Sequence, residues 1–303
     1  MADKTRTTRN AADRIEIIKT YKMFIGGKFP RTESGRFYSP QPDGKSLGNI
    51  CRASRKDVRN AVVAARGAFS GWAGRTAYNR GQILYRIGEM LEGRADQFVA
   101  ELKVQGLTAT QAVREVDLSI DRLIYYAGWC DKYQQIFSAV NPVSSSHFNF
   151  SVLEPTGVVG ILASDESPVL GMISLIAPVI ASGNVCVVLA SETRPLSAIT
   201  FAEVLQTSDV PGGVVNILTG HKTELSAHFA MHFDVNSIAC DSLEPDMLKE
   251  MQTESASNVK RIKHYDCDWA DDASASPYMI RDFCEVKTTW HPIEQINASG
   301  SGY

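Results

Sequence analysis

The second half of the chain alternates short runs of β-branched residues with longer segments of helical periodicity. Five runs predict strands: VVGIL, VCVVLAS, VVNIL, VNSIAC and VKRIKHY. The helical segments between them begin near Pro168, Leu196, Thr223 and Glu244. Strands that alternate with helices in this way are typical of βαβ units, so the pattern predicts a parallel sheet covered by helices. The wholly apolar run VCVVL indicates a central strand that is buried on both faces.

The first half of the chain predicts a few short strands followed by a helical layer. Residues 22–54 alternate apolar runs with Gly-Gly, Ser-Gly and Asp-Gly pairs, which mark turns between short strands. Ser54 is a candidate N-cap, because apolar residues follow it at helical spacing. Helical patterns then continue as far as the segment that ends in DKYQQ.

Two further strands are predicted outside the βαβ region. The alternating run HFNFSVL follows a polar turn and is typical of an extended ribbon, and FCEVKTTWHPI predicts a last strand. Between the sheet and that last strand, DCDWADDASASPY has no apolar periodicity and predicts an acidic loop. Both strands would expose free edges unless another chain continues their sheet, so the pattern predicts a protein partner.

Composition narrows the classes of protein that remain. The chain has 303 residues, enough for more than one lobe, and its 31 basic and 34 acidic residues leave a net charge of -3. That balance gives no electrostatic footprint for nucleic acid, and no apolar run is long enough to span a membrane. The polar start has no apolar signal segment, so we expect a flexible arm and a cytoplasmic location. Six cysteines without a CxxC pair predict buried thiols rather than disulfides.

Several segments resemble those of the aldehyde dehydrogenase family and occur in that family's order. They are FIGGKF, VRNAVVAARGAFSGWA, EPTGVVGIL, LIAPVIASGNVCVVLASETRPLSA, VPGGVVNILTG and ASNVKRIKHY. The combination of ASRKDVRNAVVAARGAFSGWA, QTSDVPGGVVNILTG and NVKRIKHY with an early end is similar to the truncated C-terminal module of the family-16 type, here as a stand-alone chain.

This resemblance implies an α/β fold. It would consist of an NAD-binding, Rossmann-type parallel sheet with flanking helices and a β-ribbon for oligomerisation. The resemblance also implies that the catalytic domain is absent, because the chain passes from the sheet through the acidic loop directly to FCEVKTTW.

The same resemblance suggests how the chain is divided. The expected parts are a flexible N-terminal arm (1–20), the N-terminal strands and helical layer of the cofactor-type domain (21–138), the oligomerisation β-ribbon (139–156), the Rossmann-type βαβ domain (157–266), the acidic loop (267–280), and the C-terminal oligomerisation strand and tail (281–303).

The family's catalytic groups have no counterparts at the matching positions. Its thiol nucleophile lies in the absent domain, so Cys284 resembles that nucleophile only by its late position in the chain. The general base is missing from its register, which falls on residues 265–268. Asp165 and Glu166 stand where the family has a Trp and an oxyanion-binding Asn, and an ionised carboxylate cannot donate to an oxyanion. The resemblance therefore implies no catalytic residues in this chain.

Ser191 and Glu192 are the only candidate cofactor-binding residues. They end the register of the family's Lys-Pro-Ser-Glu run, which holds the adenosine ribose; the lysine is lost, but Glu192 could still accept from ribose hydroxyls. The helix beside the cofactor's pyrophosphate lacks its Gly-Ser-Thr start, and Asp241 and Glu244 add negative charge there. We therefore expect no cofactor beyond weak, vestigial binding of NAD.

No metal site is predicted. His228 and His232 have the i, i+4 spacing of a helical zinc pair, but the HExxH glutamate and a third ligand are missing. The acidic stretch after His264 is typical of a solvated linker, although its carboxylates could also bind a cation.

These observations predict a non-catalytic subunit that resembles aldehyde dehydrogenases. It would form a homo-oligomer, or a hetero-oligomer with a full-length aldehyde dehydrogenase, through its ribbon and last strand. Two alternatives remain open. One is a regulatory module that binds NAD; the other is an active NAD(P)-dependent aldehyde dehydrogenase whose catalytic residues are relocated, for instance to Cys284, or supplied by a partner.

Overall fold

The N-terminal part of the chain consists of three short strands followed by a layer of helices, as the sequence predicts. The computed structural model of the protein describes residues 18–293. The strands are β1 (Thr20–Tyr21), β2 (Phe37–Tyr38) and β3 (Asn49–Cys51), and the helices are α1 (Arg55–Ala73), α2 (Ala77–Glu92), α3 (Ala95–Val104), α4 (Ala109–Trp129) and α5 (Tyr133–Phe137).

The rest of the described chain contains the ribbon and the βαβ units. The ribbon begins with β4 (Ala139–Asn141) and β5 (His147–Pro155). The βαβ units follow as β6 (Val158–Leu162), α6 (Leu170–Ala181), β7 (Val185–Leu189), α7 (Leu196–Gln206), β8 (Val215–Leu218), α8 (Lys222–Met231), β9 (Ser237–Asp241), α9 (Pro245–Ser255) and β10 (Arg261–Tyr265). A short helix, α10 (Tyr278–Asp282), precedes the last strand, β11 (Cys284–Pro292).

A parallel sheet with the strand order β10-β9-β6-β7-β8 forms the centre of the fold. The five predicted strands are confirmed, and every residue of β6, β7, β8 and β9 is buried. The strand order reverses at β6, which lies between β7 and β9. In open α/β sheets the crevice outside the carboxyl ends of the strands at such a reversal is the usual ligand site.

The predicted ribbon is a separate antiparallel sheet with the strand order β11-β5-β4. Strand β11 pairs with β5 along its whole length, from Cys284 opposite Pro155 to Pro292 opposite His147. Strand β4 pairs with only three residues of β5. The predicted strands HFNFSVL and FCEVKTTW are thus confirmed, whereas most of the predicted arm and the end of the predicted tail lie outside the described residues.

Local signals in the sequence account for the start of α1. Ser54 is the N-cap of α1, as predicted, and forms a capping box with Asp57, which accepts hydrogen bonds from the backbone N–H and the Oγ of Ser54, both at 2.8 Å. Val58, Val62 and Ala65 are buried on one face of the helix, as their spacing predicts. None of the helices in residues 18–293 combines the length and the apolar character that crossing a lipid bilayer requires.

The end of the predicted acidic loop forms a short helix instead of a loop. Helix α10 begins at Tyr278, inside the predicted acidic loop 267–280. Its Met279 and Ile280 are buried in the core, together with the following Phe283. A helix of five residues is too short to show a periodic pattern, so its position depends on tertiary packing rather than on local sequence.

Candidate functional site

A cavity of about 690 Å³ lies at the carboxyl edge of the parallel sheet, beside the ends of β6 and β9. Its walls come from α4, from the turn before α6 and from the acidic loop. Carboxylates predominate among the charged residues that line it, which are Arg114, Glu115, Glu166, Arg194, Asp241, Asp266 and Asp268. The position is that of a ligand site in this type of sheet, but the electrostatic character is unfavourable for an anion.

Asp165 is held by an ion pair and hydrogen bonds within the chain. Its carboxylate forms an ion pair of 3.0 Å with Lys222 Nζ and accepts hydrogen bonds from Ser191 Oγ at 2.6 Å and from the Thr193 N–H at 3.1 Å. Burial alone would raise the pKa of Asp165, but the Lys222 ammonium and these hydrogen bonds outweigh it and hold that pKa below its ordinary value. Asp165, at the position of the family's Trp, is therefore an ionised acceptor within the chain. Glu166, at the position of the oxyanion-binding Asn, is exposed.

A carboxylate from another helix occupies the N-terminus of α6. Glu115 of α4 accepts from Ser167 Oγ at 3.0 Å and from the backbone N–H groups of Val169 and Leu170, each at 3.1 Å. Burial raises the pKa of Glu115, against the opposing effect of these donors. A helix N-terminus attracts anions, so Glu115 fills internally a position where an external anion could otherwise bind. No motif in the sequence indicated this contact.

The two candidate cofactor residues lie side by side after β7, and both are engaged within the chain. Ser191 is buried and donates to Asp165. One carboxylate oxygen of Glu192 contacts His221 Nδ1, and the other accepts from the Lys222 N–H at 3.1 Å, at the start of α8. Glu192 also lines a second cavity of about 630 Å³.

Trp269 covers the end of β9 and the start of α6. Its Nε1 donates to Asp241 Oδ2 at 2.6 Å, and Ser242 Oγ donates to Oδ1 of the same carboxylate at 2.8 Å. Burial raises the pKa of Asp241. The indole lies against Gly171, where an added Cβ would come within 3.1 Å of Trp269 Cδ1. Ser242 has a φ of 48°, a conformation that favours glycine.

The acidic loop is attached to the helical layer. Arg122 donates to the carbonyl of Trp269 at 2.9 Å and to Ser274 Oγ at 3.0 Å, and Tyr126 OH donates to the carbonyl of Ser276 at 3.1 Å. The loop's aspartates are exposed, in agreement with a solvated stretch, but Trp269 in its middle is only 3% exposed. The interpretation as a simple linker is therefore wrong for Trp269, which closes one side of the sheet edge.

The thiols are poorly suited to nucleophilic attack. Cys284 is 5% exposed and donates from Sγ to the carbonyl of Ile280 at 3.2 Å. Burial raises the pKa of Cys284, Cys130 and Cys240 to about 12. Only Cys267 is exposed, and partial burial and the Asp241 carboxylate raise its pKa. A thiolate nucleophile requires the opposite shift.

The residues at the sheet edge do not fit the NAD site that the resemblance implies. Each oxygen of Glu192 already accepts from a group of the chain, His221 or the Lys222 N–H, so ribose hydroxyls would have to share these oxygens. A pyrophosphate beside α9 would meet the side chains of Asp241 and Ser242 instead of an open glycine turn. In residues 18–293, no three His, Cys, Asp or Glu side chains are grouped so that they could hold a metal ion.

Comparison with known proteins identifies close similarity over most of the chain. The sequence model of the aldehyde dehydrogenase family matches residues 30–263. The chain is 31% identical over 259 residues to the cytosolic 10-formyltetrahydrofolate dehydrogenase of Mus musculus, and 30% identical over 246 residues to an aldehyde dehydrogenase of Alternaria alternata. The structure of an aldehyde dehydrogenase from Bacillus cereus in complex with NAD+ superposes with a TM-score of 0.78 at 26% identity.

The chain covers only part of each of these proteins. The matches include 83%, 79% and 82% of this chain, but 29% of the mouse protein, 49% of the Alternaria protein and 51% of the Bacillus cereus chain. The shared part contains the βαβ units, and in this chain only the acidic loop and α10 separate β10 from β11. Because the family's sequence model spans residues 30–263 and the fold agrees, this chain belongs to the aldehyde dehydrogenase family.

Proposed function

We propose that this protein is a non-catalytic member of the family that assembles with itself or with a full-length aldehyde dehydrogenase. Two observations carry the proposal: the cavity at the carboxyl edge of the sheet is lined mainly by carboxylates, with its polar groups engaged by side chains of the same chain, and the ribbon keeps unpaired edges in the described residues. The first feature removes the setting for hydride transfer, and the second provides a means of association.

The chemistry of the sheet edge supports a non-catalytic role. Aldehyde oxidation needs an activated thiolate and a donor to the oxyanion. Here Cys284 is buried with a raised pKa, and the position of the oxyanion donor holds Glu166, an exposed carboxyl side chain without the N–H of an amide. Neither group can perform its step in this arrangement.

The ribbon supports a role in assembly. Phe148, Phe150 and Val152 alternate along one face of β5, and Val140 of β4 lies opposite Phe150 on that face. The rings of Phe148 and Phe150 are in contact with each other, and Phe148 and Val140 are largely exposed. An apolar stripe that borders unpaired strand edges is typical of a surface that another protein covers.

Light scattering after gel filtration tests the proposal. We expect the chain to elute as an oligomer, or as a complex after mixing with a full-length aldehyde dehydrogenase from the same organism, without dehydrogenase activity of its own. Deletion of residues 285–303 removes most of β11 but keeps the buried Phe283 and Cys284, so it should give a folded monomer. Deletion of residues 294–303 is the matched control that keeps β11. Assembly that survives the longer deletion, or turnover by the isolated chain, would overturn the proposal.

One observation favours a second candidate, a regulatory module that holds NAD without turnover. The cavity of about 630 Å³ beside Glu192 is large enough for part of a nucleotide. A ribose bound there would share the Glu192 oxygens with His221 and Lys222. Titration with NADH, followed by its fluorescence, separates the two candidates: saturable binding that Glu192→Ala abolishes supports the regulatory module, and no binding supports assembly alone.

A further inference from the structure

Strand β11 has a long outer edge without a strand partner. In the sheet order β11-β5-β4 it occupies one side, and its inner edge pairs with all nine residues of β5. Arg261 binds the carbonyl of Cys284 at 3.1 Å, so the start of the strand is covered. From Val286 onwards, no strand of residues 18–293 pairs with the outer edge. Such an edge is a template for another strand.

Two exposed apolar side chains lie on this edge strand. Val286 is 62% exposed and Trp290 is 57% exposed, a high exposure for residues of their size. They are four residues apart, so both project from the same face of the ribbon. A second copy of this strand, running in the opposite direction, carries the same two side chains. Its valine could cover Trp290 while its tryptophan covered Val286, which would remove both apolar side chains from water.

The sequence of β11 is complementary to itself about Thr288. In an antiparallel pairing of two copies centred on that residue, Thr288 faces Thr288, Lys287 faces Thr289, Val286 faces Trp290 and Glu285 faces His291. Threonine pairs and pairs of an aromatic with a β-branched residue are both favourable across strands. No like charges meet.

Neighbouring registers lack this complementarity. A shift of the centre to Lys287 sets two ammonium groups against each other. A centre at Thr289 sets Val286 against Pro292 and Lys287 against His291. A centre midway between two residues would oppose side chains from different faces of the sheet, so only centres on a residue are possible. Only the register about Thr288 joins the two exposed apolar residues and keeps the charges apart.

We propose that β11 pairs with β11 of a second copy of this chain, antiparallel and with Thr288 opposite Thr288. The two three-stranded ribbons then form one six-stranded sheet. This inference rests on the proposed assembly function and names a second copy as the partner.

Cysteine crosslinking reads the register directly. The background is Cys267→Ser, which removes the exposed native thiol. Thr288→Cys places two thiols opposite each other, so oxidation or a short bis-maleimide should convert the chain to a covalent dimer of twice 33.2 kDa on a denaturing gel. Val286→Cys is the control: its two thiols would lie roughly 14 Å apart along the strands, too far for a disulfide. The double variant Val286→Cys/Trp290→Cys should crosslink again.

Replacing the two apolar residues by opposite charges tests the same register without crosslinking. Trp290→Arg should weaken the dimer, with a dissociation constant raised by roughly tenfold or more, because the guanidinium meets Val286 of the other copy. Adding Val286→Glu should recover part of that loss, because opposite charges then face each other twice across the interface. The same variants should leave circular dichroism unchanged, since both side chains are exposed.

The outcomes separate this inference from the proposed function. A chain that light scattering shows to be dimeric, but in which Thr288→Cys fails to crosslink or Val286→Cys crosslinks equally well, overturns the β11 pairing and leaves assembly intact. A chain that is monomeric alone and binds only a full-length dehydrogenase also overturns self-pairing alone. A chain that is monomeric alone and stays monomeric after mixing with a full-length dehydrogenase overturns both the β11 pairing and the proposed assembly function.

Discussion

The indole N–H of Trp269 donates to Asp241 Oδ2 at 2.6 Å and thereby ties the acidic loop to the end of β9. Trp269 is 3% exposed and Asp241 is 1% exposed, so the bond is shielded from water. The loop that contains Trp269 connects the parallel sheet to the ribbon strand β11. The same contact therefore covers one side of the sheet edge and fixes the loop that leads to the surface proposed for assembly.

Loss of the Trp269 donor should destabilise the fold. Trp269→Phe keeps most of the apolar contact but leaves Asp241 Oδ2 without this partner in a buried position, at a cost of about 1–3 kcal/mol in the free energy of unfolding. Urea unfolding followed by circular dichroism measures the change. Tyr78→Phe, at an exposed position on α2, is the control and should stay within about 0.5 kcal/mol. Equal losses of unfolding free energy in the two variants would show that the buried hydrogen bond does not contribute to stability.

The stability conferred by Asp241 should depend on pH. Because burial raises its folded pKa above the unfolded value of about 4, stability is greatest at acidic pH and falls as pH rises from there through the raised folded pKa. Asp241→Asn keeps an oxygen acceptor for Trp269 and removes the charge. We expect the variant to be more stable than wild type at pH 7, with a difference that shrinks towards pH 4.

Unfolding free energies measured from pH 4 to 7 test this dependence on pH. Gln252→Ala, at an exposed position of α9 without a titratable group, is the control and should show no such trend. A difference that grows as the pH falls would contradict the buried-charge explanation.

The strands of the parallel sheet could be predicted because their burial dictates their composition. The run VVGIL coincides with β6, Val158–Leu162, and VCVVL coincides with β7, Val185–Leu189. A strand covered on both faces must be apolar throughout, so the signal is local and strong. The N-cap at Ser54 was visible for a similar reason, since its partner Asp57 is only three residues away.

The contacts at the sheet edge could not be predicted in the same way. Glu115 reaches the N–H of Leu170 across 55 residues of sequence, and Trp269 reaches back to Asp241 across 28. Neither pairing leaves a periodic pattern, because the partner is selected by the fold rather than by spacing along the chain. The same limitation hid the burial of Trp269, whose neighbours are exposed aspartates.

Glu115 should stabilise the start of α6 as an internal cap. Glu115→Ala removes the acceptor for the N–H groups of Val169 and Leu170, with an expected loss of about 1–2 kcal/mol in the free energy of unfolding. Glu115→Gln keeps the oxygen and removes a partly buried charge, so it should remain close to wild type. Glu89→Ala removes an exposed ion pair with Arg86 and should change stability by less than about 0.5 kcal/mol. An alanine variant of Glu115 as stable as wild type would refute the capping role.

Only one of the six thiols should react in the native protein. Cys267 is exposed, whereas the other five are buried. A colourimetric disulfide reagent should therefore modify one thiol per chain under native conditions and all six after denaturation. Cys267→Ser should abolish the native reaction, and Cys284→Ser should leave it unchanged. Native modification of Cys284 would contradict its burial and reopen the hypothesis of a relocated nucleophile.

Val259 should be a site where glycine stabilises the protein. It adopts a left-handed conformation with a φ of 55° before β10, and its side chain is 93% exposed. A β-branched residue is strained there by about 1–2 kcal/mol, while its exposed side chain contributes little packing. Val259→Gly relieves that strain but increases the entropy of the unfolded chain, so the net gain should be about 0.5–1 kcal/mol, or roughly 2 °C in Tm. Asp209→Gly, at a φ of 60°, is the control with a smaller expected gain, because aspartate tolerates this conformation better. A lower Tm for Val259→Gly would mean that the flexibility gained in the unfolded chain exceeds the strain relieved in the folded one.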